Sequence, residues 1–336
     1  MQISRIMSPV AAIASFGFLA AIYRAYWRDI RKAQARVSTG SSIINTERGP
    51  MEYASIGEGA PLLVVHGAGG GFDQALDFAT DLNRAGFRCI FVSRFGYLRT
   101  PLPVDASPEA QADQYARLLD SLCIPEGAIL GISAGGPSAL QFAIRHSQRC
   151  SALVLLVPAT FAPSGAGIHP SSPWVTRLLT DTVLKSDFAF WLMIRLARRT
   201  VIENILGTPS QVAESVSPAE RERLQTILMN ILPVSRRRAG LLNDGAVVSS
   251  LRRFDLERIE APTLLISVED DRYGTFPGAQ YTAGQIRNAR FSGFPTGGHL
   301  WLGHNEEVST AVRNFLQRAV RNKPLEPRVS RTAKAC

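Results

Sequence analysis

From residue 43 onward, short apolar runs alternate with segments of helical length. The β-like runs 43–46 and 51–56 flank Arg48-Gly49-Pro50 and predict an opening antiparallel hairpin. Residues 61–65, 89–92, 128–132 and 151–157 are apolar without alternation, the pattern of parallel strands covered on both faces. Between them, 72–86, 108–122 and 137–146 carry helical spacing. The rhythm stops at Phe161. From there to Arg253 the chain is loop-like and then helical, with helices predicted over 187–199, 218–232 and 234–250. Alternation returns with a strand over 263–268, a helix over 278–286, a strand over 290–294 and a last helix over 306–320. A helical insertion between two strands of one sheet reads as a cap, not as a second domain in series. The expected organisation is an N-terminal apolar helix and basic segment over 1–36, a core over 43–160 and 254–322, a cap over 161–253 and a basic tail over 323–336.

A chain of 336 residues can bury the core that such a domain needs, and 46% hydrophobic with 19% charged residues excludes disorder as the default. The net charge of +9 suggests an anionic partner, but it is concentrated at the two ends. Arg5, Arg24, Arg28, Arg31, Lys32 and Arg36 face only Asp29 within 1–36, and Arg318, Arg321, Lys323, Arg328, Arg331 and Lys334 face only Glu326 within 318–336. The body is nearly neutral, so no nucleic-acid partner is expected; the tails are solvated or touch lipid headgroups. Cys89, Cys123, Cys150 and Cys336 form no CxxC pair and no metal spacing. The first three read as small core residues, and no metal or other cofactor is expected.

Residues 6–23 carry no charge, and Arg24, Arg28, Arg31 and Lys32 follow directly. This order favours an anchoring or interfacial helix, with membrane association through 6–23 and the following domain on the cytoplasmic side. A cleaved signal and a packed soluble helix are the alternatives, because Pro9 and the Ser/Gly content weaken insertion.

Four short motifs carry candidate chemistry. The strand at 128–132 runs into Gly131-Ile132-Ser133-Ala134-Gly135-Gly136 and a helix follows, which is G-x-S-x-G in its strand–turn–helix context. Small neighbours permit the tight turn that would expose Ser133 Oγ at the carboxyl end of the sheet. Val65-His66-Gly67-Ala68-Gly69-Gly70-Gly71 also follows a strand. Its glycines would let a backbone N–H approach a developing oxyanion, and it lacks the G-K-[ST] of a phosphate loop. The expected oxyanion donors are Ala68 N–H and Ala134 N–H, with Gly69 as substitute and His66 as a structural brace. His299, on the glycine pair of Pro295-Thr296-Gly297-Gly298-His299, is the expected base, with His304 as fallback. The acid is sought in Glu269-Asp270-Asp271 at the end of the strand over 263–268: Asp270 is the first choice, then Asp271, then Glu269.

With serine, acid and histidine in that order, the chain from about 43 to 322 resembles the α/β-hydrolase superfamily. The resemblance implies a mostly parallel eight-stranded sheet flanked by helices, and a catalytic triad of Ser133, His299 and Asp270. Ser93-Arg94-Phe95-Gly96-Tyr97-Leu98-Arg99-Thr100 is similar to that family's D-x-x-G-x-G-x-S loop, with Ser93 and Leu98 in place of its Asp and second Gly. Dehalogenases and epoxide hydrolases of the superfamily carry Asp at the elbow, which Ser133 argues against. The capped members it resembles include carboxylesterases, lactonases and meta-cleavage-product C–C hydrolases. The resemblance therefore implies a small-molecule substrate with an ester-like carbonyl, handled through an acyl-enzyme. Carbon–carbon hydrolysis and a low-turnover ligand receptor are the alternatives. Arg195, Arg198, Arg199 and Arg236 to Arg238 are expected to be solvated helix faces. Phe188, Phe190, Trp191 and Met193 suit a lid lining or the cap's own small core.

Overall fold

The structure, a computed structural model, describes residues 9–74, 81–163 and 182–321, with side chains from residue 16 onward. The middle of the helix expected over 72–86, His169, the tail at 323–336 and part of the apolar run 6–23 lie outside the described residues.

A long helix, α1 (Pro9–Ser38), precedes the sheet. The sheet comprises β1 (Ser42–Thr46), β2 (Gly49–Ile56), β3 (Ala60–Val65), β4 (Phe87–Val92), β5 (Gly127–Ile132), β6 (Cys150–Leu156), β7 (Thr263–Val268) and β8 (Ala289–Phe294), in the order β1-β2-β4-β3-β5-β6-β7-β8. Both pairings of β2 are antiparallel, confirming the opening hairpin, and the other five pairings are parallel. The chain leaves β3 toward β4 on one side and returns to β5 on the other. A parallel sheet opens its crevice at the carboxyl ends where the order reverses in this way.

Helices α2 (Pro108–Ser121) and α3 (Gly136–Arg145) connect β4 to β5 and β5 to β6. Between β6 and β7 lies the insertion, with α4 (Asp187–Leu196), α5 (Arg198–Asn204), α6 (Ser210–Ser215), α7 (Pro218–Asn230) and α8 (Arg238–Ser249). The single helix predicted over 187–199 is two, because the chain breaks at Ala197. Helices α9 (Thr275–Gln285) and α10 (Asn305–Arg321) complete the core.

Successive strand residues point to opposite faces, so each strand contributes to two cores. Leu63, Val65, Ile90 and Ile129 pack under α2 and α3, while Leu62, Val64, Phe91 and Val154 pack with Val308, Val312 and Leu316 of α10. That two-sided burial is why the strands read as unbroken apolar runs. A third core lies inside the insertion and recruits α1: Ile30 and Ala33 join Phe190, Trp191, Ile194, Leu228 and Val234. Asp29 fixes this docking by accepting from Trp191 Nε1 at 3.0 Å and Arg195 at 2.5 Å. The 1–36 segment is thus not separate from the insertion over its docked half. No helix among the described residues is long and apolar enough to cross a membrane, so the structure lends the spanning reading no support.

Candidate active site

Strand β5 ends at Ile132 with extended backbone (φ −108°), and Ser133 turns to φ +49° before α3 begins. A left-handed φ is unfavourable for a serine and persists only where the surroundings enforce it. Here the turn is wedged. A Cβ on Gly135 would stand 2.6 Å from His66 O and 2.7 Å from Val65 O, and one on Gly131 would stand 2.7 Å from Ala139 Cβ. Ala159 N–H donates to Ser133 O at 3.0 Å, tying the elbow to the segment beyond β6.

His299 Nε2 lies 2.8 Å from Ser133 Oγ, and His299 Nδ1 lies 2.8 Å from Asp271 Oδ2. A carboxylate only accepts, so Nδ1 carries the proton and Nε2 is free to accept from the serine hydroxyl. The partner of the imidazole is therefore Asp271 and not Asp270. Asp270 turns the other way and accepts the N–H groups of Gly297 (3.3 Å) and Gly298 (2.7 Å), bracing the loop that carries His299. Asp271 is 5% exposed and also accepts Tyr273 N–H at 2.9 Å and the Thr275 hydroxyl. These contacts hold the carboxylate toward the imidazole. His304 instead pairs with Glu307 and stacks on Phe294, and His146 bonds Asp113.

The glycine-rich loop passes directly beside the elbow, with a Cβ on Gly67 only 3.1 Å from Ser133 Cβ. Three of its N–H groups are engaged: Gly67 donates to Gln74 Oε1 (2.8 Å), Gly69 to Tyr97 OH (3.3 Å) and Gly70 to Gly67 O (3.3 Å). Gly69, the substitute oxyanion donor, is thus occupied. Ala68 N–H donates to no acceptor among the described residues, and Ala134 N–H stands at the start of the turn into α3. His66 does brace this loop. Its Nδ1–H donates to Gly67 O at 2.6 Å while Nε2 accepts Arg94 N–H at 3.0 Å. Burial, aided by the Arg94 and Arg237 guanidinium groups, pushes its pKa well below the ordinary histidine value and keeps it neutral.

Several contacts around the site had no local signal. Glu52 of β2, fully buried, accepts Ser93 Oγ (2.9 Å) and the N–H and Nε of Arg99 (3.1 and 2.6 Å). This carboxylate braces the loop in which Ser93 replaces the family's Asp. Leu98, where the family has glycine, adopts φ +51°. From the insertion, Gly207 O accepts both Arg272 N–H (3.0 Å) and His299 N–H (3.2 Å). Tyr273 packs edge-on against His299 with ring centroids 4.8 Å apart. Arg237 is fully buried, which corrects the solvated reading: it donates to both oxygens of Asp73 (3.1 and 2.8 Å) and to Gly70 O. Asp244 of α8 takes both Arg94 terminal nitrogens (2.7 and 2.6 Å) and the Tyr97 hydroxyl (2.5 Å). Phe190 and Trp191 fill the insertion's own core, whereas Phe188 stays exposed. Cys123 is also exposed, at φ +55° after α2, and is not a core residue. Among the described residues, no group of three or more His, Cys, Asp or Glu side chains converges as a metal site.

Residues 60–206 match the family described as the alpha/beta hydrolase fold. Over 82% of its length the chain is 28% identical to an uncharacterized hydrolase, YcgS, of Bacillus subtilis, covering 97% of that protein. It is 29% identical to a 2-hydroxy-6-oxononadienedioate/2-hydroxy-6-oxononatrienedioate hydrolase of Paraburkholderia xenovorans, over 79% of this chain and 90% of that one. An alpha/beta hydrolase fold protein of Nakamurella multipartita superposes with a TM-score of 0.65 at 26% identity, covering 82% of this chain and 99% of that one.

Proposed function

The chain belongs to the alpha/beta hydrolase family, and from that premise we propose that it is a serine hydrolase with Ser133 as nucleophile, His299 as base and Asp271 as the orienting acid. The observation that carries this reading is the unbroken chain of two 2.8 Å contacts from Ser133 Oγ through the imidazole to Asp271. His299 Nε2 takes the hydroxyl proton as Ser133 Oγ attacks a carbonyl carbon, and Asp271 stabilises the imidazolium that forms. The N–H groups of Ala68 and Ala134 receive the oxyanion. His299 then protonates the leaving group, and water repeats the cycle to free the acid from the serine ester. The insertion reaches this site, its Gly207 carbonyl accepting the His299 N–H, and in this reading it serves as the cap.

An ester or lactone is the substrate class that this arrangement serves with the fewest added requirements. Hydrolysis of a carbon–carbon bond beside a ketone is a second reading, favoured by the relative from Paraburkholderia xenovorans, which matches over nine-tenths of that protein's length. There the proton from His299 goes to carbon. Steady-state rates on p-nitrophenyl esters and on a 2-hydroxy-6-oxo-dienoate separate the two readings. Wild-type protein should label with a fluorophosphonate and Ser133→Ala should not; full hydrolysis by Ser133→Ala overturns the proposal, and an unlabelled, inactive wild type points to a ligand receptor.

A further inference from the structure

Large apolar side chains gather in the open at one end of the molecule. Phe16, Phe18 and Leu19 on α1 are 76%, 67% and 62% exposed, followed by Tyr23 at 62% and Trp27 at 37%. Phe188 of α4, 42% exposed, lies against Tyr26 of α1. Tyr26 joins the two helices into one surface through edge contacts with Trp27 (5.6 Å), Phe188 (5.1 Å) and Trp191 (5.7 Å). Such a cluster is costly in water unless a partner covers it.

The charge around it is one-sided. Arg24, Arg28, Arg31, Lys32 and Arg195 are exposed around these aromatics, against the carboxylates of Asp29 and Asp187. Arg31 lies over the Trp27 ring and Arg195 over the Trp191 ring. Going along α1, the order is exposed Phe and Leu, then Tyr and Trp with arginines, then the buried Ile30 and Ala33 that dock the helix to the insertion. That is the layering of a bilayer interface: acyl region, headgroup boundary, and water-side protein.

We propose that this end of the molecule docks on an anionic lipid surface, with Phe16, Phe18 and Leu19 entering the interface and Arg24, Arg28 and Arg31 meeting the headgroup charge. A second copy of the chain is a poorer occupant, because self-pairing would bring the same arginines together. The proposal is independent of the hydrolase reading, since the patch holds no residue of the candidate triad.

The test is vesicle co-sedimentation of the full chain, with phosphatidylcholine alone and with phosphatidylcholine and phosphatidylglycerol at 3:1. Partitioning should be at least tenfold stronger on the anionic vesicles and should weaken as salt is raised. Arg24→Glu with Arg31→Glu should remove that preference by about tenfold or more. Phe16→Ser with Phe18→Ser and Leu19→Ser should lower binding to both vesicle types. Both variants should keep wild-type circular dichroism and wild-type hydrolysis of a soluble ester. Absence of binding, or binding that both variants leave unchanged, overturns the proposal. So does concentration-dependent dimerisation abolished by the Phe/Leu substitutions, which would make a second copy the occupant.

Discussion

The strand ends and the helical insertion hold their polar groups in place by different means. At the carboxyl ends of β5, β7 and β8, position follows from the local path of the chain: Ser133 sits in a turn that three glycines permit, and Asp271 is held by its own near neighbours Tyr273 and Thr275. The insertion is placed by pairs far apart in sequence. Arg94 meets Asp244 across 150 residues, Asp73 meets Arg237 across 164, and Arg36 reaches both Asp73 and the Leu232 carbonyl. The strand-end site is thus a product of backbone geometry, and its covering is a product of buried ion pairs. Geometry of the first kind assembles the candidate triad; pairing of the second kind places the insertion beside it.

The sharpest way to break this comparison is to remove one acid from each side of the His299 loop. Asp271→Asn leaves the imidazole in the wrong tautomer, and the rate of ester hydrolysis should fall by about 10³- to 10⁴-fold. Asp270→Asn should cost far less, because it only loosens the contacts to Gly297 and Gly298. Equal losses in kcat/KM for the two variants would mean that the 2.8 Å contact does not mark the acting acid. Next in size is Asp244→Ala, which strands the buried Arg94 charge and should destabilise the fold by about 3–5 kcal/mol in urea unfolding. Replacing both partners, Arg94→Met with Asp244→Leu, should recover most of that loss. A double variant no better than the single one would show that the pair sets the geometry of the core loop itself.

The same contrast explains what could be read from the residues. Ser133 and His299 stand in local contexts, strand–turn–helix and strand–glycine loop, that a linear pattern displays. The fold was legible for the same reason, because burial on both faces writes itself as unbroken apolar runs. Asp270 and Asp271 are adjacent and chemically identical, and only the turn after β7 decides which one faces the imidazole. Ser93 looked like a loss, since its replacement carboxylate, Glu52, lies on an antiparallel neighbour 41 residues away. Arg237 is one of three consecutive arginines, and a charge run reads as a solvated face until Asp73 is seen to bury one of them.

A smaller effect probes the wedge under the nucleophile. Gly135→Ala puts a methyl group 2.6 Å from His66 O and 2.7 Å from Val65 O, both backbone atoms that cannot rotate away. Overpacking of this kind costs about 1–3 kcal/mol, and hydrolysis should fall with it, because the elbow and the glycine-rich loop are pushed apart. A Gly135→Ala protein with wild-type stability and rate would show that the turn has slack.

The smallest effect tests whether the brace at His66 belongs to the backbone-held side of the molecule. His66 is neutral when folded, its pKa lowered first by burial and then by Arg94, while in the unfolded chain it titrates near the ordinary histidine value of about 6.5. Below that pH the unfolded state binds a proton that the folded state does not, so stability is full above about pH 6.5 and declines as the pH falls. The slope from this one group approaches about 1.4 kcal/mol per pH unit. Urea unfolding between pH 7.5 and 5.5 should display it. His66→Asn, which keeps a side-chain donor and acceptor, should flatten the curve over that range while lowering stability at pH 7.5. A slope that persists in His66→Asn would assign the acid sensitivity to another group and leave His66 as a passive filler of the loop.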